Sequence, residues 1–303
     1  MVSVIIPTLN ASKYLPDLLD KLGDQTVREK EIIVIDSSSN DDTITIAESY
    51  LASVICIDRK DFDHGRTRNL AATRAKGDVL VYLTQDVVPF DKYFLENLLN
   101  PLNSAGIIAS YGRQLPKEDA IPPERFARLF NYPDKPLIKS KDDLSHLGIK
   151  TFFFSNVCSA IKRKAFEQLG MFPENVIMDE DLVFAAQSIM KGYKIAYVPE
   201  ARVLHSHNYS PVQQFNRYFD VGVILNRERW ILELTSAEGE GLHFIREEAK
   251  FLYKNKKWLW IPYAMVQAMA KFTGYRLGLM EHKMPVKLKR RLSMHKYFWN
   301  KAT

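Results

Sequence analysis

Short apolar runs that end in polar clusters recur through the first ninety residues. This alternation restricts the fold more than any other feature of the chain. Val2 to Asn10, Glu31 to Asp36, Ala52 to Asp58 and Asp78 to Leu83 are rich in Val and Ile and read as strands, the third the weakest. Between the first two, Leu15, Leu18, Leu19 and Leu22 repeat at helical spacing, with Asn10-Ala-Ser12 available to cap a helix from about Lys13. Further helices are expected from Thr43 and over Arg66 to Lys76, the latter after a turn at Phe62 to Gly65. Strands alternating with helices predict repeated βαβ units around a mostly parallel sheet. Right-handed crossovers would then gather the strand-end loops at one edge.

The residues sent to that edge are polar: Pro7-Thr8, Asp36 to Asp42, Asp63 to Asn69, and Asp86. Asp86 closes the strand Gly77 to Leu83 in the stretch Thr84-Gln85-Asp86, and Pro89 stops it. A carboxylate at the C-terminal end of a central parallel strand lies where α/β proteins bind ligands. There it can hold a divalent cation against a diphosphate. Strand-end Asp residues also commonly cap turns, and Asp86 alone does not outweigh that reading.

The middle of the chain changes character. Gln114 to Pro136 carries five prolines and reads as a loop with a short helix near Glu124 to Phe130, either a lid or an inert connector. Phe152 to Ile161 reads as a strand, and Lys164 to Leu169 as the start of a helix ended by Gly170. Met178-Asp179-Glu180-Asp181 opens a helix through Met190, stopped by Gly192. Acids in a first turn complement the helix dipole, but three in a row exceed what a cap needs. Ile195 to Val198 is a strand, with Val203 to His207 following it.

Beyond Pro211 the pattern is helical: Gln213 to Leu234, Leu242 to Tyr253 and the apolar Trp258 to Met269. Lys283 to Thr303 then holds seven Lys and Arg, among them Lys301, and no Asp or Glu. A basic tail behind an aromatic, apolar helix suits an anionic membrane surface. A core-packing helix with a solvated tail, or a helical dimer interface, uses the same residues differently.

The formal charge of +6 suits nucleotide, phospholipid or nucleic acid without choosing among them. No recognised nucleic-acid module accompanies it, so no nucleic-acid partner is expected. Cys56 and Cys158 sit in apolar surroundings and read as two buried thiols, with no disulfide framework and no metal spacing, as in a reducing compartment. The N-terminus enters a strand pattern directly, so no signal peptide is expected. No apolar run reaches about 18 residues, so no membrane-spanning helix is expected either.

Taken in order, Val4-Ile-Ile-Pro-Thr8, Ile33-Val-Ile-Asp36 with the polar run to Thr43, Arg68-Asn69, Gly77-Asp78, Gln85-Asp86 and Glu180-Asp181 resemble the motifs of family-2 glycosyltransferases. The resemblance implies an inverting enzyme with a GT-A-type nucleotide-diphospho-sugar transferase fold over residues 1–210. A helical, basic region over 211–303 would remain for acceptor, membrane or dimer contacts. Asp61 to Asn69 and Phe153 to Ile161 further resemble bacterial rhamnosyltransferases of cell-surface polysaccharide synthesis, which typically use dTDP-L-rhamnose.

Carried over by position, the resemblance implies that Pro7, Thr8 and Asp36 line the base and ribose pocket. Arg68 would contact the nucleotide or its diphosphate, with Gln85 also on the donor side. Asp86 matches the last acid of the family's Asp-x-Asp motif and would ligate Mg²⁺ or Mn²⁺; Thr84 replaces the first acid, which puts a two-acid metal site in doubt. His205, rather than His207, matches a histidine that completes the metal site in some members, and a nitrogen ligand favours Mn²⁺. Asp181 matches the general base, with Glu180 beside it on the acceptor side. Neighbouring like charges would raise the basicity of Asp181. Asp63 or His64 is expected to contact the donor sugar.

The function expected is transfer of L-rhamnose from dTDP-L-rhamnose to a lipid-linked or polysaccharide acceptor. The place expected is the cytoplasm, peripherally on the inner face of the plasma membrane. A UDP-hexose transferase and a catalytically silent nucleotide-sugar-binding protein are the alternatives.

Overall fold

The structure is a computed structural model and describes residues 1–235 and 240–300. Lys301 of the basic tail lies outside the described residues. The strands are β1 (Val2–Thr8), β2 (Lys30–Asp36), β3 (Ser53–Cys56), β4 (Val79–Leu83), β5 (Val88–Pro89), β6 (Ile107–Leu115), β7 (Leu137–Lys139), β8 (Cys158–Lys162) and β9 (Lys194–Leu204). The α-helices are α1 (Leu15–Gly23), α2 (Thr43–Ser49), α3 (His64–Arg74), α4 (Phe94–Leu99), α5 (Pro122–Asn131), α6 (Leu144–Leu147) and α7 (Arg163–Gln168), then α8 (Glu180–Met190), α9 (Pro211–Arg227), α10 (Arg229–Leu234), α11 (Glu240–Lys254), α12 (Ile261–Gly278) and α13 (Val286–Leu292). The chain forms two compact units. The first comprises Met1–Leu115, Tyr132–Asn175 and Glu180–His205; the second comprises Pro116–Asn131, Val176–Asp179 and the chain from Ser206.

The first unit is built on one sheet in the order β3-β2-β1-β4-β8-β6-β9-β5, with β7 also paired to β9. β1 to β4 are parallel, with Thr8 opposite Asp36 and Ile5 opposite Tyr82. The sheet is mixed beyond them, because β8 enters antiparallel between β4 and β6. That direction matters for the site: Cys158 pairs with Leu83, so the chain just before β8 arrives at the end of β4, where Thr84 N donates to Val157 O at 3.2 Å. Alternate residues of the strands bury opposite faces. Val4, Ile6, Val34, Val81 and Leu83 join Leu15, Leu18, Leu19 and Leu22 of α1 in one core layer. On the other face Tyr82 meets Phe166 and Phe172, which pack with Phe184.

Several local expectations are corrected. Asn10 does not cap α1: it sits at φ +50°, its Oδ1 accepts from Asn40 N at 2.9 Å, and the helix starts at Leu15 with Pro16 in its first turn. The turn expected at Phe62 to Gly65 is already helix from His64, because Asp63 accepts a hydrogen bond from Arg66 N at 2.9 Å as the N-cap. Pro89 is not what stops β4, which already ends at Leu83; it sits in the short edge strand β5, where a missing N–H is tolerated. β6 was not anticipated, and the strand expected over Phe152 to Ile161 begins only at Cys158. Cys158 is buried, but Cys56 is exposed at the end of β3.

In the second unit α9 and α12 approach through glycines. A Cβ on Gly274 would lie 2.3 Å from Phe215 O, and one on Gly278 2.1 Å from Phe219 O. α5 packs on α11 through Phe126 and Phe130 against Phe244, and Phe126 also meets Phe251. Among the described residues no helix is long and apolar enough to cross a membrane.

Candidate active site

The parallel pairing of β1 and β2 sets Thr8 beside Asp36, and Thr8 Oγ1 donates to Asp36 Oδ2 at 2.9 Å. Ser39 adds its N–H at 2.8 Å and its hydroxyl at 2.5 Å, so the buried Asp36 carboxylate accepts three hydrogen bonds and is held in one orientation. Ser37 Oγ beside it is buried with no hydrogen-bond partner. Pro7 is the preceding residue of β1, half-buried. Gln85, expected on the donor side, also carries a structural task. Its Oε1 accepts from Leu9 N at 2.8 Å and its Nε2 donates to Leu9 O at 3.2 Å, which straps the end of β1 to the loop after β4.

Asp86 lies at the end of β4 and His205 at the end of β9, and the two strand ends meet. His205 Nε2 stands 3.4 Å from Asp86 Oδ2. On the other side of the ring, His205 Nδ1 is 2.9 Å from Gln114 Oε1. The Gln114 amide is oriented by its own bonds, because Nε2 donates to Tyr132 Oη at 2.5 Å and to Ser155 Oγ at 3.1 Å. In this orientation the carbonyl oxygen faces His205, and a neutral imidazole that donates to it carries its proton on Nδ1. Its Nε2 lone pair then points at a carboxylate. Two acceptors in that arrangement attract only with a proton or a cation between them, so the pair fits a divalent ion. Thr84 Oγ1 is buried with no hydrogen-bond partner. His207, two residues further on, belongs to the second unit, where its ring stacks on Tyr209.

The acids at the start of α8 are divided between partners. Glu180 is buried and points to Arg68, with Nη1 3.3 Å from its Oε1. Asn156 Nδ2 donates to the same oxygen at 3.0 Å. Burial alone would raise the Glu180 pKa, but Arg68, His64 and Asn156 outweigh it and hold the carboxyl below its usual value. Removing either partner of such a buried pair strands the other charge, at a cost of about 3–5 kcal/mol. Glu180 is thus held by interior partners. Arg68 is likewise turned inward, donating also to His64 O at 2.9 Å. Asp181 is only half-buried. Its Oδ2 accepts from Asn156 N at 2.8 Å and its Oδ1 from Leu182 N at 2.9 Å. The crowding of like charges expected around Asp181 is relieved, since its neighbour Glu180 is neutralised by Arg68.

The Asp61 to Asn69 stretch does structural work as well. Gly65 lets α3 press on backbone, since a Cβ there would lie 1.9 Å from Pro173 O. Asn69 clamps Phe172 by donating to its O at 2.9 Å and accepting from its N at 3.1 Å. Asp63 caps α3, and the ring of His64 packs edge-on against Phe62.

Asn156 and Gln114 are the residues that the sequence reading did not single out. Asn156 joins Glu180 to Asp181, and Gln114 joins His205 to Ser155, the residue before Asn156. An unbroken run of contacts therefore leads from Asp86 through His205, Gln114, Ser155 and Asn156 to Asp181. An Asn within the apolar run Phe152 to Ile161 was the one available signal.

The family model described as Glycosyl transferase family 2 matches residues 3–170. The O-antigen chain rhamnosyltransferase RfbN of Salmonella typhimurium is 45% identical over 302 residues, covering 99% of this chain and 96% of that protein. WbaN of Salmonella anatum, also an O-antigen chain rhamnosyltransferase, is 45% identical over 301 residues, covering 98% and 95%. Among solved structures, the mannosyltransferase PcManGT from Pyrobaculum calidifontis, in complex with GDP-Man and Mn²⁺, superposes with a TM-score of 0.64 at 16% identity over 93% of this chain and 88% of that one. S. aureus TarS 1-349 in complex with UDP-GlcNAc gives 0.55 at 17% identity, over 93% and 91%. These likenesses show a GT-A fold.

Proposed function

Because the chain belongs to glycosyl transferase family 2, we propose that it is an inverting transferase moving L-rhamnose from dTDP-L-rhamnose onto a growing O-antigen-type polysaccharide or its lipid-linked precursor. The observation that carries the site is the run of contacts joining the Asp86–His205 pair to Asp181. Asp86 and His205 would hold Mg²⁺ or Mn²⁺, which when bound neutralises charge on the departing nucleoside diphosphate. Asp181, reaching solvent from a rigid helix start, takes the proton of the acceptor hydroxyl as its oxygen attacks the anomeric carbon. Attack from the face opposite the leaving group inverts that carbon, with no covalent intermediate. Asn156 fixes the base by donating its N–H to one Asp181 oxygen, and the Arg68–Glu180 pair holds Asn156. Asp36 and Thr8, with Pro7, form the floor for base and ribose. Asp63 and His64 stand at the start of α3 as the donor-sugar wall.

The protein is further proposed to lie on an anionic membrane surface. Trp258, Met265, Met269 and Phe272 are exposed along the start and outer side of α12, and exposed Lys254, Lys256 and Lys257 precede them.

The deciding experiment is donor turnover. Purified protein with Mn²⁺ or Mg²⁺ is offered dTDP-rhamnose, UDP-glucose, UDP-galactose and UDP-N-acetylglucosamine in turn, with an O-antigen lipid fraction as acceptor. Release of dTDP alone, abolished by Asp86→Ala and reduced about 10²- to 10⁴-fold by Asp181→Asn, is expected. Turnover of a UDP-sugar instead overturns the rhamnose assignment and leaves the family intact.

A further inference from the structure

A cavity in the first unit, of about 500 Å³ and lined by neither Asp86 nor His205, lies where β9 bulges. β6 and β9 slip register between Gly112 and Arg113, so that Arg113 pairs with Arg202 and residues 199–201 loop out. The bulge, α4 and the turn after β5 border the space, which is open to solvent. That volume suits a small-molecule ligand of one or two rings.

The wall is polar and its charges are mixed. Asp91, Asp134 and Glu200 face it together with Arg113 and Arg202. Three carboxylates repel a phosphate or a nucleotide. Two guanidinium groups oppose a metal ion, and among the described residues these acids do not gather their oxygens into an ion's ligand set. An apolar ligand would strand the polar groups without partners. A neutral ligand rich in hydroxyls meets donors and acceptors on every side.

The groups are also preorganised. Arg202 lies over the Phe90 ring at 4.3 Å and pairs with Asp91 at 2.7 Å, while its Nε is buried with no hydrogen-bond partner. Arg113 is fixed by donating to Tyr132 O at 2.9 Å. Asn97 Nδ2 reaches Glu200 O at 3.3 Å. Tyr93, 47% exposed, offers a ring for a sugar face.

The position links this cavity to the transfer site. β5 and β9 run from one to the other as a paired ribbon, with Val88 opposite Leu204 and Pro89 opposite Val203. Asp86 and His205 stand at one end of it, and Phe90 N donates to Arg202 O at the other. Three to five residues of strand span on the order of 10–15 Å, the reach of a short oligosaccharide.

We infer that this cavity is a distal binding site for neutral saccharide, gripping the acceptor glycan a few sugars away from the hydroxyl that is glycosylated. Its assignment to the acceptor rests on the transferase reading above. The site would favour acceptors long enough to reach it over short ones.

Two measurements test this. Saturation-transfer NMR is run with neutral oligosaccharides cut from Salmonella typhimurium O-antigen polysaccharide, and with oligogalacturonate of similar length as the charged control. Signal from the neutral probe alone is expected. It should fall at least fivefold in both Tyr93→Ala and Asn97→Ala and persist in Tyr93→Phe. In turnover assays the same two alanine variants should raise the KM for long acceptor about tenfold, leaving kcat and the donor KM unchanged. No signal from wild-type protein, or equal signals in wild type and both alanine variants, overturns the site. Variant-sensitive binding in a protein that turns over no donor keeps the saccharide site and removes the transferase reading. Turnover with an unchanged acceptor KM does the reverse.

Discussion

Gln114 illustrates how one uncharged side chain can orient an imidazole beside a carboxylate. With its Nε2 on Tyr132 and Ser155, its oxygen faces His205, and an imidazole that donates Nδ1–H to that oxygen offers Nε2 toward Asp86. Gln114→Ala should therefore weaken Mn²⁺ binding about 10–100-fold by calorimetry while Asp86 and His205 remain in place. An unchanged dissociation constant would remove Gln114 from the site. Lys139 is a second single-residue case. It is buried in β7, donates to Phe153 O and lies 4.8 Å from the centre of the Tyr111 ring. Burial pushes its pKa down to about 7, against a small opposing pull from Asp143. Between about pH 7 and the ordinary lysine range the unfolded chain therefore binds a proton that the folded one does not, so this lysine costs stability as pH falls through that window. The stability difference between Lys139→Met and wild type, from urea denaturation, should move in favour of the variant as pH drops from 10 to 7 and level off below. A difference independent of pH would mean that Lys139 is charged in the fold.

At the scale of elements, backbone pairing and helix contact decide what side chains can meet. The antiparallel entry of β8 delivers Ser155 and Asn156 to the end of β4. A parallel strand would have placed them at the far edge. In the second unit, the α9–α12 contact is as close as its glycines permit. Gly278→Ala forces the helices apart or bends one of them, and should lower stability by about 1–3 kcal/mol in thermal or urea unfolding. Ala at the exposed Thr273 of the same helix should change it by less than about 0.5 kcal/mol. Equal effects at both positions would contradict the close approach.

At the scale of the whole molecule, membrane contact predicts co-sedimentation with phosphatidylserine-containing vesicles at low salt. It should weaken as salt screens the lysines and fall away in Met269→Glu/Phe272→Glu. Binding unaffected by that double change, or none in the wild type, removes the α12 face from this role. Residue pattern was enough to announce the βαβ start of the fold, the helical C-terminal region and the acids at strand and helix ends. These follow from side-chain periodicity and local turn chemistry, which act over a few residues. Asp36 and Asp86 could be placed at strand ends for that reason, whereas the roles expected of Asp181 and His205 came from the family resemblance. Long-range folding was needed to pair Arg68 with Glu180 in the interior, to strap a loop with Gln85, and to bring Gln114 and Asn156 between His205 and Asp181. Each of those outcomes depends on strands and helices distant in sequence reaching hydrogen-bond range, and a polar residue carries no local mark of the partner it will meet there. Sequence periodicity says which face of an element is buried; the pairing order of the sheet says what it is buried against.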